Sequence, residues 1–301
     1  MDTTLANIQR VLIIGAGTMG LRIGLQAAWS GFDTIIHDID PASFDAARKV
    51  QRRIIRHLIE QGLMDEAGAE IALARIHFTT NLAEAAEYAD LVSESVVEDL
   101  EIKRAVWRQL AGLCPAHTIF TTNTSYLLPS QMAEDSGRPE LFCAFHFHDV
   151  FHANVVDIMP HAGTDPRVCE LLMELGTRLR QTPVFVKREA PGYVFNQMLM
   201  ALIGAAGALV THDVASIEDV DRSWMGNFKM DMGPFGILDA IGLDTAWHVT
   251  RNQQDPRSKR FAELLRSYLD QGKKGVKSGA GFYTYPDPAY RQPGFIHPVT
   301  K

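Results

Sequence analysis

Along the first two thirds of the chain, short aliphatic and β-branched runs alternate with longer stretches in which apolar residues recur at helical spacing; beyond that, only the helical spacing remains. The runs at 11–14, 34–37, 75–78, 90–93, 118–122, 141–147, 155–159 and 183–187 read as strands, several of them apolar on both faces, as strands covered from both sides are. Helical spacing predicts helices over 41–62, 65–74 and 101–113, the last ended by Cys114-Pro115. Near residue 187 the polar stretch Arg188-Glu-Ala-Pro191-Gly192 breaks the pattern. Helices are predicted after it over 193–210, 216–224, 234–249 and 261–271, with Pro191 in the first turn of the first. Strands alternating with helices imply an α/β fold with a doubly wound, mostly parallel sheet over 1–187, and a smaller all-α domain over 188–301.

The first strand and helix are joined by Gly15-Ala-Gly17-Thr-Met-Gly20, and the second strand ends in Asp38. In a dinucleotide-binding turn Gly15 permits the tight bend, Gly17 lets a pyrophosphate approach the backbone, and Gly20 lets the helix pack on the strand. The N–H groups opening the helix, at Thr18 and Met19, then face the phosphates, where the helix dipole favours negative charge. A carboxylate at Asp38 accepts the ribose hydroxyls of NAD and repels the 2′-phosphate of NADP, and no Arg or Lys intervenes before Arg48. A lone G-x-G-x-x-G is a common turn, and FAD sites share it. Here strand, helix, second strand and acid all agree, which makes the first domain a Rossmann-type NAD domain.

Composition narrows the setting. With 46% hydrophobic and 22% charged residues the chain is that of a globular protein, and its net charge of −7 argues against nucleic acid as a partner. Cys114, Cys143 and Cys169 are widely spaced, without a disulfide or zinc pattern, and fit a reducing, cytoplasmic compartment. No run of about 18 uncharged apolar residues predicts a membrane span, and the opening residues do not form a secretory signal. The helix over 41–62 carries Arg48, Lys49, Arg52, Arg53 and Arg56 on one side. A solvated basic face explains them more simply than a phosphate-binding patch does.

Hydride transfer from an alcohol needs a base for the hydroxyl proton, and histidine, with an ordinary pKa near 6.5, suits that task when a carboxylate orients it. Ligand chemistry in such sheets gathers at the carboxyl ends of strands. His146 ends LFCAFH; Asn123 and Ser125 follow TIFTT; Glu94 and Glu98 follow ADLVS; Asp157 lies in NVVDIM. Any one of these is more often a structural residue, but they converge on the edge where the glycine turn opens. The segment His146-Phe-His148-Asp149 permits another reading, since alternate strand residues share a face: a metal held by His146 and His148, completed by His152 or Asp149. Short H-x-H spacings are common by chance, so no metal is expected, and His148 reads as a loop or lid residue.

Taken together, these motifs resemble the short, monofunctional 3-hydroxyacyl-CoA dehydrogenases, from Val11 to about Tyr285. GAGTMG with Asp38 resembles the family's NAD site, and ESVVEDLEIK its E-A-V-x-E-x-x-x-x-K, which implies Glu98 by the nicotinamide ribose and Lys103 by cofactor and substrate. NTS, ending in Ser125, resembles the N-T-S-S whose serine contacts the substrate's 3-oxygen; Asn123 joins the cofactor-facing set. His146 matches the catalytic histidine and Asn196, in APGYVFNQ, the asparagine of P-G-F-x-x-N. MGPFGILDAIGLD (232–244) and GVKSGAGFYTY (275–285) match the signatures of the helical domain. The pattern is broken in three places. HFHDV replaces H-F-F-N-P; Asp157 stands where a glutamate usually backs the histidine, one methylene shorter and behind a loop one residue shorter; Tyr126 replaces a second serine and narrows the expected acyl pocket.

The resemblance implies NAD-dependent interconversion of (S)-3-hydroxyacyl-CoA and 3-oxoacyl-CoA, short chains included, within fatty acid metabolism. It assigns His146, Asp157, Ser125 and Asn196 to catalysis. A helical arm after the second strand helps hold coenzyme A in the family, which offers Arg52, Arg53 and Arg56 to its phosphates, with Arg52 and Arg56 assigned to the substrate, and the helical domain is expected to form a homodimer. Two alternatives stay open: dehydrogenases of free hydroxyacids such as gulonate or carnitine, which share the domain plan, and a non-catalytic, crystallin-like NAD-binding role. Dependence on coenzyme A separates the first, and Ser125, His146 and Asn196 occurring together argue against the second.

Overall fold

The computed structural model describes residues 4–251 and 255–297. The chain divides into two compact units, Met1–Val194 and Phe195–Lys301.

The first unit is built on eight strands: β1 (Arg10–Ile14), β2 (Asp33–His37), β3 (Ile76–Thr79), β4 (Leu91–Glu94), β5 (Ile119–Thr122), β6 (Phe142–Asp149), β7 (Ala153–Pro160) and β8 (Thr182–Phe185). They form one sheet in the order β3-β2-β1-β4-β5-β6-β7-β8. Its helices are α1 (Thr18–Trp29), α2 (Ala42–Glu60), α3 (Glu66–Ala74), α4 (Leu82–Ala86), α5 (Leu100–Leu113) and α6 (Pro166–Arg178). Alternation along β1 shows why central strands read as continuous apolar runs. Val11 and Ile13 pack with Ile23, Ala27 and Ile36 on one face, while Leu12 and Ile14 pack with Val92, Trp107 and Phe120 on the other. From β1 the order runs outward both ways, to β2 and to β4, which creates the crevice at the strands' carboxyl ends where ligands of such sheets sit.

All pairings are parallel except β6 with β7, where the link is too short for a parallel crossover. The hairpin sets His146 directly opposite Asp157, with an irregularity between Phe147 and Asp149. β6 runs to Asp149, two residues past the predicted end, so His148 belongs to a strand and not to a loop or lid. The hydrophobic pattern gives no element for 160–182, yet α6 lies there. Asp165 caps it, Pro166 opens it, and Val168, Leu171, Leu172 and Leu175 face the sheet.

The second unit holds α7 (Phe195–Thr211), α8 (Ile217–Phe228), α9 (Pro234–Ile241), α10 (Leu243–Thr250) and α11 (Pro256–Leu269) around Phe235, Leu238, Leu243, Phe261 and Leu265. Two expectations are corrected. Pro191 does not open α7, because Gly192 and Tyr193 take positive φ (79° and 53°) and form a turn first. The helix predicted over 234–249 is two, broken at Gly242 (φ 102°). No helix among the described residues is long and apolar enough to cross a membrane.

The second unit's two signature segments are tied together by buried carboxylates. Asp239, 1% exposed, accepts from Phe282 N and Tyr283 N (both 2.8 Å) and from the Tyr285 hydroxyl (3.1 Å). Asp221 accepts from Phe235 N, Gly236 N and the Tyr283 hydroxyl. A Cβ on Gly281 would lie 1.9 Å from an Asp239 carboxylate oxygen, which explains the glycine there. Asp239→Ala strands two backbone N–H groups in the core and is expected to destabilise the unit by about 3 kcal/mol. Thermal unfolding measures this; a midpoint within a degree or so of wild type would mean the carboxylate does not hold the segment.

Candidate active site

The glycine turn opens at the carboxyl end of β1. Gly15 has φ 100°, and a Cβ there would lie 2.7 Å from the Ser95 carbonyl oxygen. A Cβ on Gly20 would lie 1.8 Å from the Gly15 carbonyl oxygen, so only glycine lets α1 close on the turn. Gly17 differs: nothing stands within 4 Å of an added Cβ. That open side, above a helix whose first turn (Thr18, Met19) has no side-chain cap, leaves room for a pyrophosphate to approach the backbone. Asp38, half-buried after β2, accepts from Ala16 N (2.7 Å) with one oxygen and from Asp40 N (3.0 Å) with the other. Each oxygen keeps a lone pair for a ribose hydroxyl. Arg48 is engaged elsewhere, with Asp45 and over the Phe78 ring, so no cation from it balances a 2′-phosphate. The residues fit NAD.

After β4 lies a charged cluster. Lys103, 1% exposed, places its ammonium 2.6 Å from Glu94 Oε1 and 3.3 Å from Glu98 Oε2. Glu94 also accepts from the Thr122 hydroxyl and Val96 N. Lys103, expected beside cofactor and substrate, thus turns inward. Glu98 Oε1 accepts from the Thr124 hydroxyl, Ser125 N (3.1 Å) and Tyr126 N (3.3 Å). Burial pushes the Glu98 carboxyl up, but these bonds and the Lys103 ammonium outweigh it and hold the group below the usual carboxylate range. Glu98, expected at the ribose, also shapes the serine turn through Oε1. Asn123 accepts from Phe147 N (2.8 Å), which ties that turn to β6 beside His146.

At the centre, Ser125 Oγ lies 3.1 Å from His146 Nε2, and His146 Nδ1 lies 3.3 Å from Asp157 Oδ2. The shortened carboxylate reaches the histidine because the hairpin register makes them a cross-strand pair on one face. Burial raises the Asp157 carboxyl, while bonds from His146 and His148 pull it further down, so the net shift is below the ordinary value. An ionised carboxylate only accepts; His146 Nδ1 must therefore carry the proton, leaving Nε2 bare toward Ser125. Burial lowers the His146 pKa from 6.5, against the support of Asp157, which keeps the ring neutral at neutral pH.

His148 Nε2 reaches the same Asp157 oxygen at 2.8 Å. Ligand atoms of His146, His148 and Asp157 all lie within 4.8 Å of one another. The partner completing this trio is Asp157; Asp149, weighed as a ligand from the sequence, instead pairs with Arg22 (2.5 Å) and accepts from Phe151 N and His152 N. The 2.8 Å separation is a hydrogen bond's, shorter than the roughly 3.3 Å between two ligands on a tetrahedral zinc with bonds of about 2.0 Å.

Sequence reasoning missed Tyr193. Its ring stacks on His146 (centroids 4.5 Å apart, planes at 10°), and its hydroxyl donates to the Thr124 carbonyl at 2.7 Å. Only the positive-φ turn at Gly192-Tyr193 brings it there, and the pair Pro191-Gly192 is the signal for such a turn. Asn196 lies in the first turn of α7, in the second unit. A cavity of 470 Å³ in the first unit is bordered by Arg22, Arg53, Arg56 and His152 together with the carboxylates of Glu60 and Asp149; Arg52 is exposed and does not border it.

Comparison with known proteins identifies the family. Residues 10–190 match the model for the 3-hydroxyacyl-CoA dehydrogenase NAD binding domain, and residues 192–285 that for the C-terminal domain of the same enzymes. A probable 3-hydroxybutyryl-CoA dehydrogenase of Deinococcus radiodurans is 34% identical over 277 residues, covering 91% of this chain and 99% of its own. Among solved structures, a diketoreductase described for dual catalysis on dicarbonyl compounds is 36% identical with a TM-score of 0.88, covering 92% of this chain and 99% of its own. The (S)-3-hydroxybutyryl-CoA dehydrogenase of Ralstonia eutropha is 28% identical with a TM-score of 0.82, covering 93% and 100%.

Proposed function

Since the chain belongs to the 3-hydroxyacyl-CoA dehydrogenase family, we propose that it interconverts short-chain (S)-3-hydroxyacyl-CoA and 3-oxoacyl-CoA with NAD, with His146 as the base. The observation that supports this most is the chain of contacts Ser125 Oγ–His146 Nε2–Nδ1–Asp157 Oδ2, which sets Nε2 toward the serine. NAD, when bound, supplies the hydride acceptor. In oxidation Ser125 holds the substrate's 3-oxygen, His146 Nε2 takes the hydroxyl proton, and the C3 hydrogen departs with its electron pair as the C3=O bond forms. Asp157 stabilises the imidazolium that results. In reduction the same proton returns from Nε2 to the oxygen.

Coenzyme A is assigned to the arginine-bordered cavity, with Arg53 and Arg56 on its phosphates and Arg52 as a more distant positive charge. Tyr126, 40% exposed at the tip of the serine turn, limits the acyl chain. The three cysteines are free and buried, which fits the cytoplasmic setting we assign. Exposed Phe195, Met198 and Phe228 in the second unit serve as the homodimer surface in this reading.

An NADH-linked assay over 3-hydroxyacyl-CoAs from butyryl to palmitoyl length, with the free acids and a dicarbonyl ester alongside, tests the reading. The 3-hydroxybutyryl thioester is expected to exceed free 3-hydroxybutyrate in kcat/KM by about a hundredfold, a gain of the size remote binding contacts supply. Arg56→Ala is expected to erode that gain through KM with kcat preserved. Equal turnover of acid and thioester would move the protein to the free-acid class.

A further inference from the structure

His146 is one of two imidazoles on Asp157, and it is the more distant one: Oδ2 lies 3.3 Å from His146 Nδ1 but 2.8 Å from His148 Nε2. Both rings project from the same face of β6, two residues apart, with centroids 4.9 Å apart, and Asp157 faces them from β7. Side chains of His148 and Asp157 are 9% and 1% exposed, so water does not replace either partner freely.

We propose that His148 is a positioning residue: its Nε2–H pins the Asp157 carboxylate, so that an aspartate on its short stem holds His146 in one tautomer. The role rests on the base assignment above. Tyr193 stacking fixes the plane of the His146 ring, but a stacked imidazole flipped by 180° keeps that plane and exchanges Nδ1 for a carbon. Only an in-plane hydrogen bond decides which edge faces Ser125. A carboxylate with one weak, long partner turns about its Cβ–Cγ bond; with a second donor on the same oxygen it does not. The ionised state of Asp157 requires that both nitrogens donate, which is the tautomer that leaves His146 Nε2 bare. His148 therefore compensates for the length the aspartate lacks.

The test combines turnover with nitrogen-15 NMR of the imidazoles in the full-length protein without substrate. His148→Phe keeps the ring's bulk and removes the donor. It is expected to lower kcat by about tenfold or more, the cost of a loosened orienter, with KM for NAD within about twofold. The share of His146 in its Nδ1–H form falls with it. His148→Gln, which keeps a donor, and the double variant His148→Phe with Asp157→Glu, which restores reach, each recover a large part of the loss. If His148→Phe leaves kcat and the tautomer as they were, or raises kcat, then His148 competes for the carboxylate and the proposal fails. If the wild type oxidises no hydroxyacyl substrate but the His146 tautomer still shifts in His148→Phe, the dehydrogenase reading fails and the clamp stands.

Discussion

Exchanging His146 for glutamine is expected to lower kcat for hydroxyacyl oxidation by about a thousandfold, within the range general-base catalysis supplies. Glutamine roughly fills the imidazole's space, and its amide keeps a polar contact toward Ser125 and Asp157. It offers no nitrogen basic enough to take a hydroxyl proton. The loss should therefore lie in the chemical step. The contacts of His146 run to Ser125, Asp157, His148 and Tyr193, none of which belongs to the glycine turn or to Asp38. NADH affinity, read by fluorescence titration, should stay within about twofold, since the phosphates and ribose depend on other residues. A variant that turns over at close to the wild-type rate would remove His146 from the base role outright.

Removing the carboxylate has the next largest effect. Asp157→Ala deprives His146 of both its orienter and the charge that balances its imidazolium, and a fall in kcat of about 10²–10⁴ is expected. The sign of the accompanying pH shift is fixed by the same contacts. Burial lowers the His146 pKa, the coulombic effect of His148 lowers it further, and Asp157 and Glu98 oppose them. Without Asp157 the pKa drops further, so the acid limb of the rate profile should move to lower pH while its plateau falls. An unchanged plateau would show that the pair is structural. With both imidazoles losing a partner, circular dichroism should accompany the kinetics to confirm that the variant is folded.

The sequence made the first part of this site legible because its signals are local. A strand, three glycines and an acid at fixed spacing describe a turn whose geometry depends on few distant residues. Period-two alternation likewise anticipates that His146 and His148 share a face, and the Asp157 strand was visible by its apolar flanks. What stayed hidden depends on long-range contacts. His148 looks like loop because His-Asp is polar; the hairpin pairing of Asp149 with Ala153 extends the strand beneath it. Glu98 is placed by the ribose by the resemblance, and its motif does not show that Oε1 also accepts from the Ser125 turn, 27 residues on. Lys103 is placed beside cofactor and substrate by the resemblance, and its burial against Glu94 depends on a contact that the helix pattern does not reveal. Tyr193 needs a backbone conformation uncommon for a residue other than glycine, and only the preceding Pro-Gly hints at it. Charge pattern alone does not show that Arg53 and Arg56 of α2 border the cavity while Arg52 does not.

Catalysis by this site depends on a neutral imidazole with its bare nitrogen on the substrate side, and the pH dependence of kcat/KM for 3-hydroxybutyryl-CoA oxidation measures this directly. The predicted profile is level through neutral pH and declines about tenfold per pH unit below an apparent pKa under 6.5, as protonation disables His146. The residual activity of His146→Gln should show no such limb. The same acid limb persisting in that variant, or a wild-type rate indifferent to pH from about 5 to 8, would contradict it.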